Sequence, residues 1–277
     1  MKKNLTTVLL TLMLLSGVGL LLYPTLAHTY NMIYATHAID AYENALTELT
    51  PEDYDSYFQA ADDYNARLRQ LPSPLSDYED VPGYEDMLSI GGSNLIGYIR
   101  IEKIHVNLPI FHGTSSSVLA EGVGHMEGTS LPVGGESTHA VLSAHRGLPQ
   151  ARLFTDLDKL EEGDLFTITV LDRVLTYQVD KITITEPTEV NHLLAEDGED
   201  AATLLTCTPY AVNTHRLLVH GKRVENVEEV QQLHVTSDAI QIEPLLCAPF
   251  YAIPIVIALF ALAAIFDRRK SQEEQGG

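Results

Sequence analysis

Cross-linking sulfur is the first scarcity in this chain. Of its two cysteines, Cys247 lies in an uncharged apolar stretch, which leaves Cys207 alone in the rest of the sequence. No disulfide can therefore form within residues 28–244, and Cys207 is left free to react. A domain without disulfides must stand on its apolar core alone, which about 130 residues can manage. Positive charge is the second scarcity. The chain has 38 acidic and 17 basic side chains, a net charge of −21, and no basic patch, which argues against nucleic acid as a partner. Such an acidic field serves solubility and attracts cationic partners, including lysine-bearing surfaces. Internal repeats, low-complexity tracts and coiled-coil heptads are also missing. Cys207 has no closely spaced ligand pair with His145, His215 or His220, so neither a metal nor any other cofactor is expected. Ser143 lacks the Gly-x-Ser-x-Gly turn that a serine nucleophile uses.

Two apolar segments lie near the ends. Residues 4–27 carry no charge, and at about 1.5 Å rise per residue they reach across a ~30 Å hydrocarbon core as a helix. Lys2 and Lys3 precede them. Residues 245–266 form a second uncharged stretch, followed by Asp267-Arg268-Arg269-Lys270. Positive charge outside both segments predicts two membrane spans with cytoplasmic termini and residues 28–244 on the outer side. The alternative for the first segment is a cleaved signal peptide ending near Thr25-Leu26-Ala27.

Residues 28–71 predict two helices, about 28–48 and 51–70. Thr50 serves as the cap of the second, Pro51 fits its first turn, and Glu52 and Asp53 complement its dipole. Residues 72–93, rich in Pro, Asp, Glu and Gly, read as a linker or an ordered surface segment. From residue 94 to about 225 the pattern changes to short β-type runs at 95–101, 105–111, 138–145, 165–171, 174–184, 202–207 and 216–221. Short helices are expected near 117–121, 151–157 and 190–194. A mainly β domain of many short strands permits a closed barrel. Residues 226–244 read as a second linker and 267–277 as a cytoplasmic tail.

Chemistry concentrates at three run ends. Cys207 ends Thr203-Leu204-Leu205-Thr206-Cys207, His145 ends a run closed by Gly147, and Arg216 opens the last run. A thiol that attacks, an imidazole that moves the proton of the leaving amine and a guanidinium that holds an oxyanion make an acyl-transfer site. A thiol and an imidazole of ordinary acidity coexist as thiolate and imidazolium in only about one molecule in a hundred at neutral pH. Their surroundings therefore decide the rate. Strand alternation places Arg216, Leu218 and His220 on one face and His215, Leu217 and Val219 on the other. Arg146 and Arg223, the rival arginines, read as solvated turn residues. His105, His112, His125 and His139 read as surface or core histidines.

These residues resemble the sortases, and among them the class C, pilus-assembling ones. The Thr-Leu-x-Thr-Cys pattern is matched by 203–207, the family histidine by His145 and the family arginine by Arg216. The resemblance spans about 94–223. It implies a closed eight-stranded sortase-type barrel with short helices, preceded here by the helical segment and flanked by two transmembrane helices. It also implies a membrane-anchored cysteine transpeptidase on a Gram-positive cell surface. Such an enzyme cleaves a Leu-Pro-x-Thr-Gly-like signal of a pilin or surface protein between Thr and Gly through a thioester, and passes the acyl group to a lysine amine of an acceptor pilin. Thr206, Leu205 and Ser143 are the candidates for binding the substrate. In class C members a lid covers the site, often with an Asp-Pro-aromatic tripeptide. That tripeptide is absent, and Asp77, Tyr78, Asp80 and Tyr84 are the candidates to replace it. The alternatives are a sortase that joins proteins to cell-wall peptide, a hydrolytic cysteine protease, and a non-catalytic surface barrel with Cys207 as a buried residue.

Overall fold

The computed structural model describes residues 2–148, 151–226 and 254. Apart from Asn226 and Pro254, the second linker, the expected span at 245–266 with its Cys247, and the tail lie outside the described residues. The chain divides into two compact units, and the one that carries the strands begins at His28.

Helix α1 runs from Lys2 to Leu46 without a break, with Pro24 inside it. The helix expected to start at 28 therefore continues the apolar one, because Ala27 is no cap and no glycine stands at the junction. Thr11–Leu46 is the one stretch among the described residues long and apolar enough to cross a membrane, with a mean hydropathy of 1.4 over its most apolar 18 residues. Helix α2, Pro51–Leu68, starts as its sequence dictates. Thr50 and Asp53 form a capping box, with Pro51 in the first turn. Its buried face, Phe58, Ala61, Tyr64, Asn65 and Leu68, follows the helical three-to-four spacing. Asn65 grips the barrel at two points, accepting from Leu131 N at 2.7 Å and donating to Leu131 O at 3.3 Å.

Eight strands follow: β1 Leu95–Ile101, β2 Val106–His112, β3 Val123–His125, β4 Thr138–Ser143, β5 Leu165–Val170, β6 Arg173–Thr185, β7 Asp200–Thr208 and β8 His215–Val224. They close into a barrel in the order β1-β2-β3-β4-β7-β8-β6-β5. Neighbours are antiparallel except β2 with β3 and β4 with β7. Seven strands were legible as β-type runs; β3 was not, since three residues are too few for an alternation. Gly124 lets β3 fit, because a Cβ there would stand 2.3 Å from Gly113 O. Ile96, Ile99, Ile110, Leu142, Ile168, Leu204 and Val219 fill the interior with no exposure, each contributing about 1.5–3 kcal/mol of transfer free energy.

The short helix expected near 117–121 is α4, Ser116–Glu121, capped by Ser115. The one near 190–194 is a 3-10 turn at Asn191–Leu193. No helix forms over 151–157. Leu153 takes φ +41° there, outside the helical region, and only Leu157–Lys159 closes a 3-10 turn. Residues 72–93 are an ordered surface segment with a helical turn, α3, at Pro74–Asp77 and 3-10 turns at Tyr78–Asp80 and Tyr84–Asp86.

Candidate active site

Alternation along three adjacent strands builds the site. On β4 and β7 the even-numbered Leu142, Ala202 and Leu204 join the main core, as do Leu217 and Val219 of β8. Val141, Leu205 and Leu218 point the other way, into a smaller cluster capped by Leu193. Register then aligns the chemistry. Ser143 pairs with Leu205 across β4 and β7, so His145, two residues on, comes level with Cys207. Cys207 itself pairs with Arg216 across β7 and β8. Cys207 thus stands level with Arg216 on the next strand, and His145, just past the end of β4, continues the same outward-facing row.

All three line one groove of about 530 Å³. Cys207 is a free, half-buried thiol, as a nucleophile that must meet substrate requires. Arg216 Nη1 donates to the carbonyls of Asn213 at 3.3 Å and His215 at 3.1 Å, which tethers the guanidinium at the strand's mouth. Ser143, Leu205 and Thr206 also line the groove. Thr206 is 1% exposed and commits its hydroxyl to Ala144 O at 2.8 Å, so it joins β7 to the end of β4. Glu127, Glu186 and Glu189 give the groove an acidic rim. Glu186 faces His215 at 3.3 Å and Glu189 accepts from Thr185 Oγ1. Sequence reasoning did not find these glutamates, whose loops carry no periodic signal.

Of the four lid candidates, Tyr78 lines the groove, together with Leu75, which was not foreseen. Asp77 and Asp80 do not line it. Tyr84 is buried elsewhere: its hydroxyl lies 2.8 Å from His125 Nδ1 and 3.1 Å from His125 O, and Gly113 N donates to it at 3.0 Å. It fastens the segment to β2 and β3. Gly128, at φ +82°, is required where that segment meets the barrel, because a Cβ would stand 2.7 Å from Pro74 O.

His112, His125 and His139 are buried, and His105 is exposed. Burial holds the imidazoles of His125 and His139 down to about 4, and also lowers that of His112. His125 Nε2 donates to Ser130 O at 2.8 Å; His139 bridges Leu194 O at 3.0 Å and Thr203 Oγ1 at 2.7 Å. Of the rival arginines, Arg223 bonds Thr176 O and Val224 O away from the groove. Arg146 is not solvated, as its sequence position suggested. Its side chain is 8% exposed and pairs with Asp158 at 2.5 Å.

Comparison with known proteins points to a single family. A family model described as the sortase domain matches residues 99–224. The crystal structure of sortase C1 from Streptococcus agalactiae is 45% identical, with a TM-score of 0.63, covering 69% of this chain and 100% of that one. A sortase C from Streptococcus pneumoniae is 42% identical at TM-score 0.61, covering 69% and 97%. Sortase A of S. agalactiae serotype III is 33% identical over 132 residues, 46% of this chain and 52% of its own. Sortase D of Bacillus subtilis is 30% identical over 46% and 63%. The chain thus spans about half to two thirds of the length of the curated relatives it matches. Strand order, the row of Cys207, His145 and Arg216, and these likenesses together place the chain in the sortase family.

Proposed function

We propose that the protein is a membrane-anchored cysteine transpeptidase of the pilus-assembling kind. The observation that carries this reading is the row His145, Cys207, Arg216 on the outward face of three adjoining strands, inside one groove of about 530 Å³. Cys207 attacks the Thr carbonyl of a Leu-Pro-x-Thr-Gly-like signal. The C–N bond breaks, His145 gives its proton to the leaving amine, and a thioester remains. A lysine amine of an acceptor pilin then attacks, His145 takes a proton, and an isopeptide bond forms as the thiol is released. Arg216 stabilises the oxyanion on the groove side. The acidic rim of Glu127, Glu186 and Glu189 suits an approaching cationic lysine.

The pilin assignment draws support from the sortase C neighbours at 42–46% identity, and anchoring from the apolar part of α1. Leu75 and Tyr78 act as a lid, since both lie against the groove that holds the thiol. The test is mass spectrometry of the full chain in detergent with Leu-Pro-x-Thr-Gly peptides and an amine, beside Cys207→Ala. A thioester on wild type, absent from Cys207→Ala and resolved by the amine, is the expected result. If neither wild type nor a Leu75→Ala/Tyr78→Ala variant forms an adduct, the transpeptidase reading fails for these peptides.

A further inference from the structure

Behind the reactive row stands a second pair that no sortase pattern used above explains. The β4 ladder ends at Ser143, and the last backbone bond joining it to β7 is Ala144 N to Leu205 O, at 3.1 Å. His145 lies beyond that bond, so the backbone pairing alone does not fix its distance from Cys207. Two side-chain bonds prolong the ladder. Thr206 Oγ1 reaches Ala144 O, and Arg146 Nη1 donates to Thr208 Oγ1 at 3.4 Å. The parallel register that sets His145 level with Cys207 sets Arg146 level with Thr208, and alternation turns this pair to the opposite side of the two strand ends.

Arg146 gathers the surrounding pieces at that point. Its Nη2 pairs with Asp158, its guanidinium carbon lies 5.9 Å from the Tyr210 ring centroid, and the adjoining Gly147 N donates to Thr155 Oγ1 at 3.2 Å. The same ring closes on Gly147, where a Cβ would stand 2.9 Å from it. The turn that holds Asp158 is itself tied back to the histidine, since Phe154 N donates to His145 O at 3.1 Å. Yet Arg146 Nε is buried with no hydrogen-bond partner among the described residues. A side chain selected for stability alone would not keep a buried cation with an unmet donor. An apolar residue would fill the space at lower cost.

We propose that Arg146 is a positioning residue. It braces the end of β4 against the end of β7 and thereby fixes the separation of the His145 imidazole and the Cys207 thiol. It touches neither substrate nor the reacting atoms. The proposal rests on the acyl-transfer reading of this site, and its test separates the two.

The measurement is steady-state transpeptidation of a Leu-Pro-x-Thr-Gly peptide by the full chain in detergent, for wild type, Arg146→Gln, Thr208→Val and the double variant, with thermal unfolding recorded for each. A misplacement of the imidazole by a fraction of an ångström predicts a loss in kcat of about tenfold or more, with KM held within about twofold. The double variant should lose no more than the worse single one, because both break one contact. If Arg146→Gln does not fold, Thr208→Val decides, since it keeps the cation, its pair with Asp158 and the shape of the side chain. Unchanged kcat in the folded single variants, or losses that multiply in the double variant, overturns the brace. Should wild type form no thioester, the transpeptidase reading falls, and the brace is read from iodoacetamide alkylation of Cys207. It then predicts that Thr208→Val slows alkylation about tenfold with His145 in place and leaves it unchanged in a His145→Ala background. An equal ratio in both backgrounds sinks it.

Discussion

Mild acid should loosen the barrel through two histidines that take no part in the chemistry. His125 has no exposure and His139 is 3% exposed, and burial, the largest cause, holds both imidazoles down to about 4, against 6.5 for a free side chain. In the folded state each is neutral, with one ring nitrogen donating to a carbonyl, Ser130 O or Leu194 O. The folded pKa lies below the unfolded one, so the unfolded chain binds more protons between the two values. The stabilisation is therefore present above about pH 6.5 and lost as pH falls towards 4. At 1.36 kcal/mol per unit, about 2.5 units give about 3 kcal/mol for each imidazole over the whole window, and roughly 2 kcal/mol of that between pH 7 and pH 5. Two such losses form a large part of the 5–15 kcal/mol typical of a domain. The assay is urea unfolding at several pH values from about 7.5 to 4.5, with the imidazole resonances followed by NMR. A ring of His125 or His139 that titrates near 6.5 in the folded protein would refute the reasoning, whatever the unfolding curves show.

Other perturbations read other parts of the fold. Tyr84→Phe leaves Gly113 N–H without its acceptor and His125 Nδ1 without its partner, which should cost about 1–3 kcal/mol in urea unfolding. Asn65→Leu strips Leu131 N of its acceptor and Leu131 O of one of two donors, Val133 N remaining, at about 1–3 kcal/mol by the same assay, or α2 is not held as described. Gly97→Ala pushes a methyl to 2.3 Å from Thr169 O on the neighbouring β5, so a drop of about 1–3 kcal/mol is expected, and a neutral result would contradict the β1–β5 spacing. Leu75→Ala removes about 1 kcal/mol of contact from the groove. Alkylation of Cys207 by iodoacetamide should then rise about fivefold, and an unchanged rate would show that Leu75 does not shield the thiol.

The reactive row was legible because its signals are local. Thr203 to Cys207, Ser143 to His145 and Arg216 to His220 each sit in runs of β-branched and apolar residues, where period-two alternation decides which side chains share a face. The cap at Thr50 was legible for the same reason: donor and acceptor are three residues apart. What escaped depends on partners far along the chain. β3 exists because β2 and β4 bracket it, Tyr84 is an anchor because His125 and Gly113 come to it, and Leu75 lines the groove because Gly128 lets Pro74 close in. Arg146 shows the limit most clearly. Beside Gly147 it has the composition of a turn, and the solvated reading followed from that alone. Its burial is set by Thr208 and Asp158, the first 62 positions away, through a parallel pairing of β4 with β7 that leaves no trace in either strand. Once that register is known, alternation settles the rest: if His145 and Cys207 face the groove, their successors Arg146 and Thr208 must face away from it. The cation that looked like a rival for the oxyanion is thereby confined to the far side of the strands, where it can act on the reaction only through the spacing of the two groups in front of it.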